Sequence, residues 1–396
     1  MNLFKYYDSS LKYKVFQIVI IILIASIIIN PSLALNSARD GLNTWFNILL
    51  PSLLPFFILS ELFILSGFVE SFGKLLQPIM KPVFNVPGPG AFPLIMSIVS
   101  GYPVGAKLSS RLRQENIISK TEGNRLITFT STSGPLFILG AVLIGMLNSP
   151  DLSMILLLPH YLGILTLGLI FKFYKFNSRD NHNADRNSSF NMKNREDISI
   201  SKLISNSVME SMNSILLVGG FVIIYNVVIE LLLASKFTNY IILSISRHFN
   251  INSHVVEGIF AGLIELTAGC KKVAILNIDL FHKVMIINFL IAWGGLSILS
   301  QAMGFIGQTD LNIGMYIFSK FLHGIFSCIY TYIIYVMGFY KTMKNLSIDA
   351  FIMENKYNIY DWIHAFFGST KLAIGICIYF VILSIFVHLL WSKKEA

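Results

Sequence analysis

Apolar runs recur along the chain between short polar stretches, at about 15–29, 42–68, 126–147, 152–172, 203–233, 284–304, 314–339 and 371–391. Runs approaching or exceeding 20 apolar residues fit helices that cross the hydrocarbon of a bilayer. The pattern therefore predicts about eight transmembrane helices. Two further apolar stretches, near 91–108 and 254–272, are broken inside. The first holds Gly101, Pro103 and Gly105 within five residues, and Gly and Pro at that density end a helix. Lipid cannot hydrogen-bond the backbone groups so freed, which confines such a break to protein interior or to the wall of an aqueous cavity. Both stretches read as re-entrant hairpins, whose tips line transport sites in membrane carriers. The second is a weaker copy of the first: Gly105 and Lys107 match Gly269 and Lys271 at one common offset.

Polar groups interrupt several spans. Pro51 and Pro55 predict a kink in 42–68. Between Thr128 and Ser133 five of six positions carry hydroxyls, and Gly134-Pro135 follows. Ser and Thr can satisfy local backbone groups there, or they can face a solute. In the second half, Trp293-Gly294-Gly295 corresponds to that break. The solute-binding candidates on the first side are Ser100, Gly101, Tyr102 and Gly105 at the hairpin, with Ser131, Thr132, Ser133 and Gly134 at the break. On the second side they are Thr267, Gly269, Gly294 and Gly295. Ionisable groups at membrane depth are functional candidates by default. Glu61, His160, Glu210 and Glu265 are the candidates for proton or ion coupling.

The hydrophilic stretch 173–202 divides the chain. Residues 1–41 read as a retained first helix, 42–172 as a first repeat, 173–202 as a cytoplasmic linker, 203–340 as a second repeat, and 341–396 as a loop and last helix. Each repeat holds three spans and a hairpin that enters and leaves on one side. Three is odd, so the second repeat is inverted, and both termini lie inside. Segments on the inside of this arrangement hold roughly twice as many Lys and Arg as those outside, in the sense of the positive-inside bias.

Composition sharpens the class. Hydrophobic residues make up 54% of the chain and charged residues 13%, against about 25% charged in soluble domains. The net charge of +9 fits cytoplasmic loops facing anionic lipid and needs no nucleic-acid partner. Cys270, Cys328 and Cys377 lie far apart, with neither a disulfide framework nor metal-ligand spacing. The Gly101–Leu108 segment lacks phosphate-loop spacing, and no catalytic motif is present. The expectation is a carrier without catalytic residues, cofactor or metal, for a small anionic solute held by helix N-termini and hydroxyls, coupled to H⁺ or Na⁺ or to neither. A homo-oligomer is compatible with this reading.

Three segments carry a family resemblance: Leu-Leu-Pro-Ser-Leu-Leu-Pro-Phe (49–56), Ser-Gly-Tyr-Pro-Val-Gly-Ala-Lys (100–107) and Ser-Thr-Ser-Gly-Pro-Leu-Phe-Ile-Leu-Gly (131–140). In this order they resemble the YlbJ (SpoVV) family of sporulation integral membrane proteins, within the nucleoside-recognition or gate-domain proteins. The resemblance spans about 10–340 and is stronger in the first half. It implies an all-α polytopic fold, an inverted repeat with two hairpins similar to that of concentrative nucleoside transporters. It also implies export of dipicolinic acid from the mother cell across the outer forespore membrane. The acidic hairpin motif of nucleoside transporters is absent from 97–108. A nucleoside-like solute, a membrane enzyme and a non-transporting assembly protein of sporulation remain as other readings.

Overall fold

The computed structural model describes residues 3–66, 68–176 and 199–338. All its regular elements there are helical. They are α1 (Leu3–Ile29), α2 (Pro31–Thr44), π1 (Trp45–Leu49), α3 (Leu50–Leu65), α4 (Phe68–Phe84), α5 (Ala91–Ser100), α6 (Val104–Gln114), α7 (Lys120–Phe129), π2 (Leu136–Met146) and α8 (Ser153–Phe171). After the linker come α9 (Ile200–Ala234), α10 (Lys236–Phe249), α11 (Ser253–Ile264), α12 (Leu266–Ala274), α13 (Leu280–Trp293), α14 (Gly295–Ile306) and α15 (Ile313–Val336), with one-turn 3₁₀ segments at 88–90 and 150–152. Most of the predicted linker and the predicted last span at 371–391 lie outside the described residues.

Among the described residues four segments are long and apolar enough to cross a membrane: Ser153–Phe171, Ile200–Ala234, Leu280–Ile306 and Ile313–Val336. Two bent pairs raise the number to six if each counts as one span: Tyr13–Ile29 with Pro31–Asn47, bent 104°, and Gly73–Phe84 with Gly88–Ser100, bent 84°. The expected span at 126–147 is divided in two. Its first part, α7, has the polar face of a helix start, with Ser119 and Glu122 forming a reciprocal capping box. Its second part is the short π2.

Breaks fall where the chain loses donors or gains backbone freedom. Pro51 and Pro55 have no N–H, and the kink expected there is π1, in which the Leu50 N–H reaches back five residues to the Trp45 carbonyl. Gly101 ends α5 at φ +82°, and Gly294 and Gly295 separate α13 from α14 at φ +84° and +74°. Glycine alone adopts such angles without strain. Pro159 inside α8 cannot donate to the Ile155 carbonyl, so the buried Asn288 amide does, at 2.8 Å.

A similar order of elements runs twice: apolar helix, amphipathic helix, broken pair, second broken pair, long helix. In the first half these are α3, α4, α5–α6, α7–π2 and α8; in the second they are α9, α10, α11–α12, α13–α14 and α15. The halves pack reciprocally. α3 lies along α9, and α8 along α15; α6 meets α14 while α12 meets π2. Lipid tails give apolar helices no solvophobic reason to associate, so close backbone approach matters more than area. Gly262 and Gly269 provide it between α11 and α12, where a Cβ on Gly269 would run into the Gly262 backbone. The largest apolar cluster joins α3 to α9 through Leu53, Phe57, Ile64, Ile215, Val218 and Val222.

Candidate functional site

Both broken pairs bring their tips against a broken span. At the first, residues 101–103 separate α5 from α6, with a cis peptide between Tyr102 and Pro103. A Cβ on Gly101 would stand 2.6 Å from the Gly134 nitrogen, and one on Gly105 would collide with the Thr130 carbonyl. The tip of the first hairpin is thus seated on the unwound stretch 130–134. At the second, Gly295 sits against the Ile264 carbonyl and the Leu266 nitrogen, each 3.0 Å from the place of its Cβ. The Trp293 indole N–H donates to the Leu263 carbonyl at 3.0 Å. Tyr102 joins the two assemblies: its hydroxyl lies 3.1 Å from the Ile291 carbonyl and 3.2 Å from that of Ala292, the last turn of α13.

The unwinding at 130–134 exposes backbone groups, and buried side chains take them up. The Thr132 N–H donates to Ser97 Oγ at 3.0 Å. The Ser133 N–H donates to His160 Nε2 at 3.0 Å, and Thr132 Oγ1 lies 2.6 Å from the same nitrogen. Tyr161 donates to the Ser133 carbonyl at 3.0 Å. Ser131 Oγ pairs with the Tyr316 hydroxyl at 2.9 Å. The Ser131 carbonyl accepts from Lys320 Nζ at 2.9 Å.

Lys320 is fully buried. Besides Ser131 it donates to the Tyr102 hydroxyl at 2.7 Å and lies 3.2 Å from His323 Nδ1. Hydrogen-bond bookkeeping assigns the protons. The Tyr102 proton goes to a carbonyl of α13, leaving its oxygen to accept. His323 places Nε2 2.8 Å from the His160 carbonyl, so Nε2 carries the proton and Nδ1 accepts. All three partners of Nζ are therefore neutral acceptors, which matches the three donors of an ammonium. Among the described residues no carboxylate forms an ion pair with Lys320. An ammonium buried without a counter-charge would be costly, and Lys320 stands where the first tip, the first break and the end of α13 meet.

The other candidates divide into two groups. Glu265 is at the second tip but serves as the N-cap of α12: its Oε2 accepts from the Ala268 N–H at 2.6 Å, and Thr267 bonds the same carboxyl. Gly269 stands one turn further along, facing Gly262 rather than forming the tip. Ser100 closes α5 with a buried hydroxyl that has no partner among the described residues. Glu61 and Glu210 lie away from this centre. Glu61 is buried on α3, 3.1 Å from Lys107 Nζ and 3.8 Å from Arg111 Nε, and Lys107 also stands over the Phe57 ring at 4.3 Å. Glu210 is exposed on α9. Sequence reasoning missed Lys320, His323, Tyr161 and Tyr316 as site residues. The signal for the first two was present: a Lys and a His three residues apart inside an apolar span share one helix face.

No group of His, Cys, Asp and Glu side chains capable of holding a metal occurs among the described residues. No solved structure matches the chain. The family described as "Gate: Nucleoside recognition" matches residues 46–175, which run from π1 through α8 and include the first hairpin, the first break and His160. The sporulation integral membrane protein YlbJ of Bacillus subtilis (strain 168) is 32% identical, over 94% of this chain and 95% of its own length. At that identity and coverage the chain belongs to the YlbJ family of sporulation integral membrane proteins.

Proposed function

We propose that this protein is a secondary transporter of a small organic anion, with dipicolinic acid as the solute, moved out of the mother cell across the outer forespore membrane. The observation that carries the anion reading is the Lys320 ammonium, buried among three neutral acceptors with no carboxylate paired to it. An anionic solute supplies the missing counter-charge. The dipicolinate assignment comes from the resemblance to the YlbJ family and from the relative's role in sporulation. For the fold, the proposal is eight spans and two re-entrant hairpins in an inverted repeat with both termini cytoplasmic. The doubled element order and the reciprocal packing of α3 with α9 and α8 with α15 support it. Coupling to H⁺ or Na⁺ is part of what is to be measured.

A nucleoside-like solute is the second reading, favoured by the match to a nucleoside-recognition family. The test is uptake into proteoliposomes of dipicolinate, uridine and a non-aromatic dicarboxylate, with and without a pH or Na⁺ gradient. Saturable dipicolinate uptake is expected, and the gradient that accelerates it names the coupling ion. Saturable uridine uptake without dipicolinate uptake overturns the anion reading. Folded protein that moves none of the three fits a non-transporting assembly role.

A further inference from the structure

His160 is fully buried on α8, and its two ring nitrogens have unequal surroundings. Nε2 accepts a backbone N–H, that of Ser133. A nitrogen that accepts carries no proton, so the proton of the neutral ring sits on Nδ1. Nδ1 has no hydrogen-bond partner among the described residues. Two backbone acceptors of α8 are already engaged: the His160 carbonyl accepts from His323 Nε2, and the Ile155 carbonyl freed by Pro159 accepts from Asn288. An unpaired buried donor costs about 1–3 kcal/mol. Holding the Ser133 backbone needs Nε2 alone and gives no account of that cost. The ring lies 4.6 Å, centroid to centroid, from that of His323, whose Nδ1 contacts the Lys320 ammonium.

We propose that His160 is a specificity-determining donor, its Nδ1–H binding one oxygen of a solute carboxylate beside the Lys320 ammonium. The proposal rests on the anion reading and assigns His160 a role other than the proton or ion coupling for which the sequence made it a candidate. A relay must move its proton from one ring nitrogen to the other. Here Nε2 accepts from the Ser133 N–H, and the Thr132 hydroxyl 2.6 Å away donates to the same nitrogen, an arrangement that favours the tautomer with its proton on Nδ1. A relay would need the Thr132 hydroxyl to turn and accept from Nε2 while the Ser133 N–H lost its acceptor.

The test measures dipicolinate binding by calorimetry on purified full-length protein in detergent, with the pH profile of flux in proteoliposomes. His160→Gln can still accept from Ser133 at the ε position and loses the δ donor. His160→Asn keeps a δ donor and loses the ε acceptor. The expected result for His160→Gln is about a tenfold to hundredfold loss of affinity, a melting temperature without solute like that of the wild type, and an unchanged pH profile. His160→Asn retains more affinity but melts lower. Wild-type affinity in His160→Gln overturns the proposal, and so does unchanged affinity with a displaced pH profile, which restores the relay. If His160→Gln fails to fold, wild-type protein with ¹⁵N-labelled histidine decides. Dipicolinate should shift one Nδ1–H resonance and its diamide should not; equal response or none overturns the proposal. A wild type that binds no carboxylate removes the anion reading itself, and this proposal with it.

Discussion

The two hairpin tips have the same architecture and opposite chemistry. At the first, three residues separate the helices, no side chain caps α6, and Tyr102 of the tip takes a hydrogen bond from the buried Lys320. At the second, one residue separates the helices, and that residue, Glu265, bends its carboxyl onto the N-terminus of α12. A helix N-terminus attracts anions through its free N–H groups and dipole. The second tip therefore already has a carboxyl of its own chain on its helix N-terminus. Only the first tip combines a helix start without a side-chain cap with a nearby buried lysine that no carboxylate of the described residues pairs.

The sharpest test of this contrast is Lys320→Met, which removes the cation while keeping the length of the side chain. Truncating one member of a buried charge interaction costs about 2–5 kcal/mol, so roughly a hundredfold or greater loss of dipicolinate flux is expected in proteoliposomes, with insertion preserved. Flux near wild type would show that the two tips do not differ as described. Next is Gly105→Ala. Its methyl would meet the Thr130 carbonyl, and overpacking of this kind costs about 1–3 kcal/mol. Thermal unfolding in detergent should show the loss. Gly105→Leu should remove flux as well, because the tip can no longer seat on the unwound stretch.

Glu265→Gln probes the other side and should do less. The Gln amide oxygen can still accept from the Ala268 N–H, so only the charge-dependent part of the cap, about 0.3–1 kcal/mol, is lost, visible as a slightly lower melting temperature with dipicolinate affinity retained. If affinity rises instead, the neutralised second tip has become a competing anion site. Loss of the pH dependence of flux in the same variant would make Glu265 the coupling group. The smallest effect is expected outside the membrane core, where Arg113 holds Asp310 in a two-pronged ion pair at 2.9 and 3.1 Å. That hydrogen bonding keeps the Asp310 carboxyl below its ordinary pKa. A carboxylate so depressed stabilises the fold above its unfolded pKa of about 3.9 and loses that contribution as the pH falls through the lower folded value. Asp310→Asn should therefore lower the melting temperature slightly at pH 7, by no more than the roughly 0–1 kcal/mol of an exposed pair, and the difference from wild type should vanish on acidification below about pH 4.

How far the sequence revealed these features depends on the range of the interaction. Breaks made by local backbone chemistry were legible: Gly101 and Pro103, the hydroxyl run ending in Gly134, and Gly294-Gly295 all fall where helices stop. The second tip was placed less well. Gly269 looked like its marker, but that glycine serves the packing of α11 on α12, and the chain turns at Glu265. Local composition does not distinguish a glycine needed for a turn from one needed for contact. Pairings between distant segments were not legible. Glu61 looked like a lone intramembrane acid because Lys107 is 46 positions away, and Lys320 looked like one residue in an apolar span because its partners Tyr102 and Ser131 come from the other half of the chain. The unequal roles of the two His160 nitrogens follow from the placement of one backbone N–H, which no pattern along the chain records.

The indole of Trp293 gives this architecture a built-in optical signal. It stands at the last turn of α13 and is fastened to the last turn of α11 by one bond to the Leu263 carbonyl. Emission from an indole responds to whether its N–H is engaged and to how wet its surroundings are. Any swing of the second hairpin away from the broken span must release that bond and change both. Any such separation could therefore be followed in unlabelled protein whose other three tryptophans are replaced, in real time, by mixing with solute and watching the fluorescence.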